Sequence, residues 1–233
     1  MSRLYISYYC ADMLRFCILI ILIGCVSGHA RLALPPSRSS AWQLGFNTPI
    51  NYNDYELNCG GYEHHWRMGG KCGVCGDRID GPRHNEAPSG KYFTGIPTHT
   101  YKAGSIIDAS VEMMANHMGW FTFKICPVTN NLAEVSQACL DRYPLEIIQA
   151  PTRRTSKYRW DIPGTYSYSV APGWDYPSYS FKLKLPDHVT CKRCVLQWDW
   201  TCANRWGSSN GKEGMGYGKQ ETFRGCADIR IES

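Results

Sequence analysis

Residues 105–126 read SIIDASVEMMA, then NHMG, then WFTFKIC, and this stretch decides the fold class. Its last segment alternates with a period of two, which places Phe121, Phe123 and Ile125 on one face and polar residues on the other. Such alternation is typical of a strand with one buried face. The four residues before it, which include a glycine, predict a tight turn, so His117 lies at a strand–strand junction where a side chain is held firmly yet can reach solvent.

The rest of the chain predicts more short strands separated by turn residues. Residues 29–100 are rich in Gly, Pro, Asn and Ser and predict loops, within which 51–66 could be a short helix or an ordered loop. Residues 132–140 predict a turn or two of helix, and 203–218 predict a surface loop. Further strands are predicted at 158–161, 164–170, 178–185, 194–201 and 226–231. Short strands at this spacing predict an all-β sandwich.

Composition and charge exclude some classes of function. The chain has 233 residues and a net charge of +5, with 25 basic residues that form no run. Nucleic-acid binding is therefore not expected. A chain of this length can bury one substantial core.

The N-terminus predicts a secretory signal peptide at residues 1–28. An apolar run at 16–26 follows Arg3 and Arg15 and ends in the small residues Ser27 and Gly28. The run is short for a membrane span, although an uncleaved anchor is the alternative. Cleavage after Gly28 predicts a secreted, extracellular, monomeric single domain at 29–233 with no membrane association.

The cysteines agree with an oxidising compartment. Of twelve, nine lie beyond residue 28, so disulfides are expected and at least one thiol is free or pairs with another chain. The pairs Cys72/Cys75 and Cys191/Cys194 could alternatively form a zinc site, which their wide separation in sequence disfavours.

A chain that begins at His29 carries an unusual pair of metal donors, the free α-amine and the ring Nδ1 of the same residue. If a nitrogen of His117 joins them, three nitrogen donors in a near-square plane suit Cu(II) and leave positions open. A redox metal with open positions can activate O₂ or peroxide. The spacing alone leaves open whether the two histidines meet.

Four motifs resemble one family. HARLALPPSRSSAW from His29, CGVCGD, ANHMGWFTFKICP and QETFRGCADIRI are similar to the lytic polysaccharide monooxygenases, specifically the animal group, auxiliary activity family fifteen. The resemblance runs from His29 to Ile231. It implies an immunoglobulin- or fibronectin-III-like β-sandwich with long loop insertions, short helices and disulfides. It also implies one copper per chain, O₂ or H₂O₂ as co-substrate, an external electron donor, and oxidation at C1 of crystalline chitin or cellulose.

The resemblance also implies roles for individual residues. His29 and His117 match the copper-ligating histidine brace, Ala115 matches a small residue that shapes the axial side of the metal, and Phe223 matches the axial aromatic position. Because phenylalanine has no oxygen, it cannot ligate. The residues themselves add Glu221, which lies two positions before Phe223 and so on its face if the segment is extended. A carboxylate there could hydrogen-bond bound oxygen species, although Gln220 is the alternative and a solvated charge is the plainer interpretation.

Two other classes of function remain open. A non-catalytic chitin- or cellulose-binding protein would use exposed aromatic residues and need no N-terminal amine, and a disulfide-built structural protein would need neither. The candidates for an exposed aromatic face are Tyr52, Tyr55, Tyr62 and Trp66, although packing inside the loop region is the alternative for each. The adjacent pair His64 and His65 is expected to be structural, because neighbouring side chains point in different directions.

Overall fold

The computed structural model describes residues 29–130, 133–164, 168–169 and 176–233. The predicted signal segment 1–28 and most of the predicted strand 164–170 lie outside these residues. None of the helices in the described ranges is long and apolar enough to cross a membrane.

The described chain consists mainly of strands, with a 3₁₀ turn at Ala41–Leu44 and two short helices, α1 (Tyr62–Arg67) and α2 (Gln137–Leu140). The strands are β1 (His29–Leu34), β2 (His99–Lys102), β3 (Ile106–Asn116), β4 (Trp120–Pro127), β5 (Glu146–Gln149), β6 (Trp160–Asp161), β7 (Tyr168–Ser169), β8 (Ser178–Lys184), β9 (Cys191–Thr201), β10 (Trp206–Ser209), β11 (Lys212–Met215) and β12 (Thr222–Glu232).

Two sheets form a β-sandwich, as the sequence predicted. One sheet has the order β1–β3–β8–β5, with β7 also paired to β3, and the other has the order β2–β12–β9–β4–β6. Every pairing is antiparallel except that of β2 with β12. Inward-facing residues of both sheets meet in one apolar core, in which the side chains of Phe121, Phe123 and Ile125 are fully buried.

Residues 117–119 connect β3 to β4 as the predicted strand–strand junction, and they carry the chain from one sheet to the other. Two details of the sequence prediction are wrong. The predicted surface loop 203–218 contains the two-stranded hairpin β10–β11. The predicted loop region 29–100 contains the strand β1 and the start of β2, since strand pairing orders a sequence that has little intrinsic preference. The helix α1 agrees with the alternative of a short helix in the segment 51–66.

Four disulfides cross-link the described residues: Cys59–Cys72, Cys75–Cys226, Cys126–Cys139 and Cys191–Cys194. The alternative zinc site at the two Cys-X-X-Cys pairs is therefore wrong, because all four of its sulfurs are in disulfides. Cys202 is the free cysteine of the described residues, and it is buried.

Candidate metal centre

Strand register brings the two predicted ligands to the same end of one sheet. β1 begins at His29, which lies opposite Ala115 on antiparallel β3. His117 follows two residues after Ala115, just beyond the end of β3. The order of strands in the sheet, rather than any spacing along the chain, therefore places both histidines at this edge.

His117 is held at three points, as predicted, but it is buried, so the prediction that its side chain reaches solvent is wrong. Its Nδ1 lies 3.0 Å from Oε2 of Glu221, and its backbone carbonyl accepts a hydrogen bond of 2.9 Å from the N–H of Ala203. Its ring lies against Trp200, with 6.1 Å between centroids. Because a carboxylate only accepts hydrogen bonds, Nδ1 carries the proton and Nε2 is the ring nitrogen that offers a lone pair.

His29 is held in the same manner by a different carboxylate. Its Nε2 lies 2.5 Å from Oε1 of Glu56, whose side chain is half exposed. Since Nε2 donates to that carboxylate, Nδ1 is the ring nitrogen suited to a metal, and it is the one that can chelate together with an α-amine on the same residue. Sequence reasoning missed Glu56, because the contact depends on how a loop folds over β1.

Glu221 and its neighbour Gln220 have different contacts. Glu221 is buried and joins His117 to Asn58, whose side-chain amide lies 3.3 Å from Oε1. Gln220 instead holds the base of the β10–β11 hairpin through hydrogen bonds of 2.8–3.1 Å to the backbones of Arg205 and Tyr217. Successive side chains of an extended segment point to opposite faces, which is why Gln220 and Glu221 have different partners.

Phe223 and Ala115 are both buried. Phe223 stacks on Trp200 with centroids 4.9 Å apart and the rings inclined by 28°, across the pairing of β12 with β9. Trp200 therefore connects Phe223 to the ring of His117, which it also contacts. Ala115 has an exposed fraction of only 1% and lies directly opposite His29.

Cys202 is a further residue of this region. Ligand atoms of His117, Cys202 and Glu221 lie within 4.8 Å of one another. Burial is the main reason why the pKa of the Cys202 thiol is raised well above its usual value, and the charges of Glu221 and Asp199 add to it. The odd number of cysteines indicated a free thiol but gave no position for it.

The four candidate aromatic residues differ in exposure. Tyr52 is 83% exposed, whereas Tyr55 is buried and donates its hydroxyl hydrogen bond to Glu112 over 3.1 Å. For Tyr55 the alternative of packing inside the loop region is therefore confirmed. Trp66 is partly buried and donates to the carbonyl of Gln220 over 2.8 Å, and Tyr62 is partly covered by the guanidinium of Arg205.

The adjacent histidines of α1 and a tryptophan of the β10–β11 hairpin lie outside the candidate ligand set. His64 and His65 are buried in α1, and His65 contacts the carbonyl of Gly70 through Nε2 over 2.8 Å, which agrees with a structural role. Trp206 is 70% exposed on the β10–β11 hairpin, and the sequence did not single it out.

The donor chemistry fits a copper ion. Metal-ligating histidines nearly always donate their other ring N–H to a carboxylate, a carbonyl or a water. Both His29 and His117 do so here, to Glu56 and Glu221. Imidazole nitrogens suit copper, and the third nitrogen of a brace, the α-amine of His29, requires removal of residues 1–28, which lie outside the described residues.

Comparisons with known proteins found a family and solved structures to which this chain is similar. The sequence profile of the family described as lytic polysaccharide mono-oxygenase, cellulose-degrading, matches residues 29–229. The solved structure of an AA15 lytic polysaccharide monooxygenase from Thermobia domestica in the Cu(I) state is 40% identical, covers 87% of this chain and 98% of its own, and superposes with a TM-score of 0.77.

A more distant structure supports the fold alone. The cellulose-active lytic polysaccharide monooxygenase CelS2, in complex with copper, is 19% identical, covers 88% of this chain and 100% of its own, and has a TM-score of 0.50. A search of the curated proteins gave no match.

Proposed function

The chain belongs to the lytic polysaccharide mono-oxygenase family, and we propose that it is a secreted, copper-dependent member that oxidises chitin or cellulose at C1 of the glycosidic bond. The proposal includes cleavage after Gly28, one copper ion per chain, O₂ or H₂O₂ as co-substrate and an external electron donor. The protein acts as a monomer on the polysaccharide surface.

One observation carries the proposal. Each of the two histidines at this edge donates one ring N–H to a carboxylate, which would leave Nδ1 of His29 and Nε2 of His117 unprotonated and suited to a metal. Those are the two nitrogens that a brace with the α-amine of His29 requires. A non-catalytic polysaccharide-binding protein has no need of either carboxylate contact.

The side chains of this chain would bind and orient the metal. His29 and His117 would hold the ion, and Glu56 and Glu221 would keep the ring tautomers that coordination needs. Phe223 and Ala115 are buried and apolar and would offer no ligand. When bound, copper supplies the one-electron redox chemistry with O₂ or H₂O₂ that amino-acid side chains lack.

Exposed aromatic residues support docking on a flat polymer. Tyr52 lies in the same loop as Glu56, and Trp206 lies on the hairpin whose base is held by Gln220, next to Glu221. Aromatic rings present an apolar face with a polar edge, which suits the faces of β-1,4-linked sugars. The family description names cellulose, and both cellulose and chitin offer such faces.

The test begins with the secreted protein. Mass spectrometry should find His29 as its first residue, and copper titration followed by EPR should show one Cu(II) bound through nitrogen. Chitin and cellulose incubated with ascorbate should then release products ending in aldonic acid.

Substitution of one ligand separates the enzyme from a binding protein. His117→Ala should abolish copper binding and product release, whereas His188→Ala, an exposed histidine outside this site, should change neither. Full product release by His117→Ala, or a first residue other than His29, would contradict the proposal.

A further inference from the structure

We infer that the loop formed by residues 51–58 sets the ring orientation of both histidines, with Glu56 and Asn58 as its positioning residues. The inference deepens the proposed function and rests on it, because the ring orientation serves copper binding. The orientation itself can be measured in the metal-free protein.

The loop reaches His29 directly. Oε1 of Glu56 accepts the hydrogen bond from Nε2 over 2.5 Å, and the His29 side chain is only 18% exposed. A neutral imidazole has one N–H, so a carboxylate at Nε2 keeps Nδ1 unprotonated. Without that carboxylate, the proton could occupy either nitrogen, and the tautomer protonated on Nδ1 would be unsuited to coordination through Nδ1.

The same loop reaches His117 through one intermediate. The side-chain amide of Asn58 donates to Oε1 of Glu221 over 3.3 Å, and Oε2 of the same carboxylate accepts from Nδ1 of His117 over 3.0 Å. Asn58 thus restricts rotation of a buried carboxylate that has to face the ring. Its effect on His117 should be weaker than that of Glu56 on His29, because it acts through Glu221.

The loop is anchored to both sheets. On the side of the first sheet, the carbonyl of Tyr55 accepts from the N–H of Ala30 over 3.1 Å, directly after His29. On the side of the second sheet, the carbonyl of Leu57 accepts from the N–H of Arg224 over 3.0 Å, three residues after Glu221. These backbone contacts lie on either side of Glu56, so they hold the backbone directly before and after it.

Side chains make the first anchor more rigid. Arg31 donates to Asp54 of the loop over 2.7 Å and to Glu112 of β3 over 2.6 Å. Tyr55 donates to the same carboxylate of Glu112. Adjacent loop residues are therefore tied to the strand pair that carries His29, which explains how a half-exposed carboxylate can hold a fixed orientation.

The test reads the tautomers directly. In the metal-free protein, ¹⁵N NMR of the imidazoles should show His29 protonated on Nε2 and His117 protonated on Nδ1. Glu56→Ala should give a mixed tautomer at His29 and weaken copper binding about 10- to 100-fold, the range found for outer-shell partners of metal ligands. Glu56→Gln keeps an oxygen acceptor, so it should retain part of the preference for one His29 tautomer and part of the copper affinity.

Matched variants separate positioning from general damage. Asn58→Ala should alter the His117 signals and the nitrogen hyperfine pattern of bound Cu(II) while leaving the His29 tautomer unchanged. Glu63→Ala removes an exposed carboxylate from α1 and should change no tautomer and no copper affinity. Circular dichroism melts should show that all the variants fold.

Two results distinguish the inference from the proposed function. A wild-type His29 protonated on Nδ1, or an unchanged tautomer in Glu56→Ala, would overturn the inference. The expected tautomers in a protein that binds no copper would support the loop's role and contradict the proposed function instead.

Discussion

At the scale of single residues, the connection from β3 to β4 determines where His117 lies. The backbone at Met118 and Gly119 has positive φ values of 58° and 87°. A Cβ on Gly119 would lie 1.9 Å from the carbonyl oxygen of Thr201, a backbone atom that has no room to move. Glycine is therefore required at this position for close approach as well as for its conformation.

A pair of glycine substitutions separates these two requirements. Gly119→Ala should lower the free energy of unfolding by about 3 kcal/mol or more and weaken copper binding, because the clash displaces the residues after His117. Gly211→Ala shares the positive φ but meets no atom within 4 Å, so it should cost only about 1 kcal/mol. Thermal and urea unfolding measure the loss in the free energy of unfolding for both variants. Equal losses would mean that the clash at residue 119 is relieved.

The free thiol gives a second prediction at this scale. Cys202 has no exposed surface, and its pKa is raised mainly by burial, so the native secreted protein should resist iodoacetamide at pH 8. Denaturation in guanidinium without reductant should add one label, detected by intact mass. Labelling of the native protein would show that this side of the metal centre opens to solvent.

At the scale of elements, a buried ionic cluster ties β12 and β9 to the segment after β1. Arg38 donates to both carboxylate oxygens of Asp228 over 2.7 and 2.8 Å, and Arg193 donates to one of them over 3.1 Å. Burial alone would lower the pKa of Arg38, but Asp228 and Glu134 reverse this and raise the pKa above its usual value. The cluster needs each of its charges, since all are removed from water.

Removal of the shared carboxylate should be costly. Asp228→Asn leaves two buried guanidinium groups without their common counterion and should lower the free energy of unfolding by about 3–5 kcal/mol. Asp108→Asn is the matched control, since it breaks an exposed contact with Lys182 and should cost less than about 1 kcal/mol. Urea denaturation measures both, and similar losses would contradict the argument from burial.

At the scale of the whole molecule, the sandwich brings three distant parts of the sequence to one edge. His29 begins β1, His117 follows β3, and Glu221 precedes β12. The loop 51–58 connects the two sheets there, and the hairpin β10–β11 lies beside them. Tyr52 and Trp206 are the large exposed aromatic residues on these two segments.

The exposed aromatic residues should contribute to polymer binding. Tyr52→Ala and Trp206→Ala should each weaken binding to cellulose or chitin by about 3- to 10-fold, since each removes one apolar ring from the docking surface. Ile106→Ala is the control, because Ile106 is exposed at the other end of β3, about 30 Å from Asn116. Binding isotherms on insoluble polymer measure the effect, and equal losses in all three variants would rule out a localised surface.

Particular residues show how much of the structure could be predicted from the sequence alone. The alternation of Phe121, Phe123 and Ile125 predicted both the strand and its buried face, because period two is a local property of extended backbone. The hairpin β10–β11 was missed, because its many Gly and Ser residues have little strand preference and depend on pairing. The sequence left open whether Tyr55 is exposed or packed, because its hydrogen bond to Glu112 joins residues far apart in the chain.

The sequence by itself determined the sandwich class and the family, together with the two candidate histidines and an odd number of cysteines, since periodicity, motifs and composition can be read without contacts between distant residues. Only the tertiary structure decided that His29 lies opposite Ala115 and that Glu56 and Glu221 each hold one ring. The physical reason is that register and loop anchoring arise from contacts between residues far apart in the chain, whose energies no local pattern records.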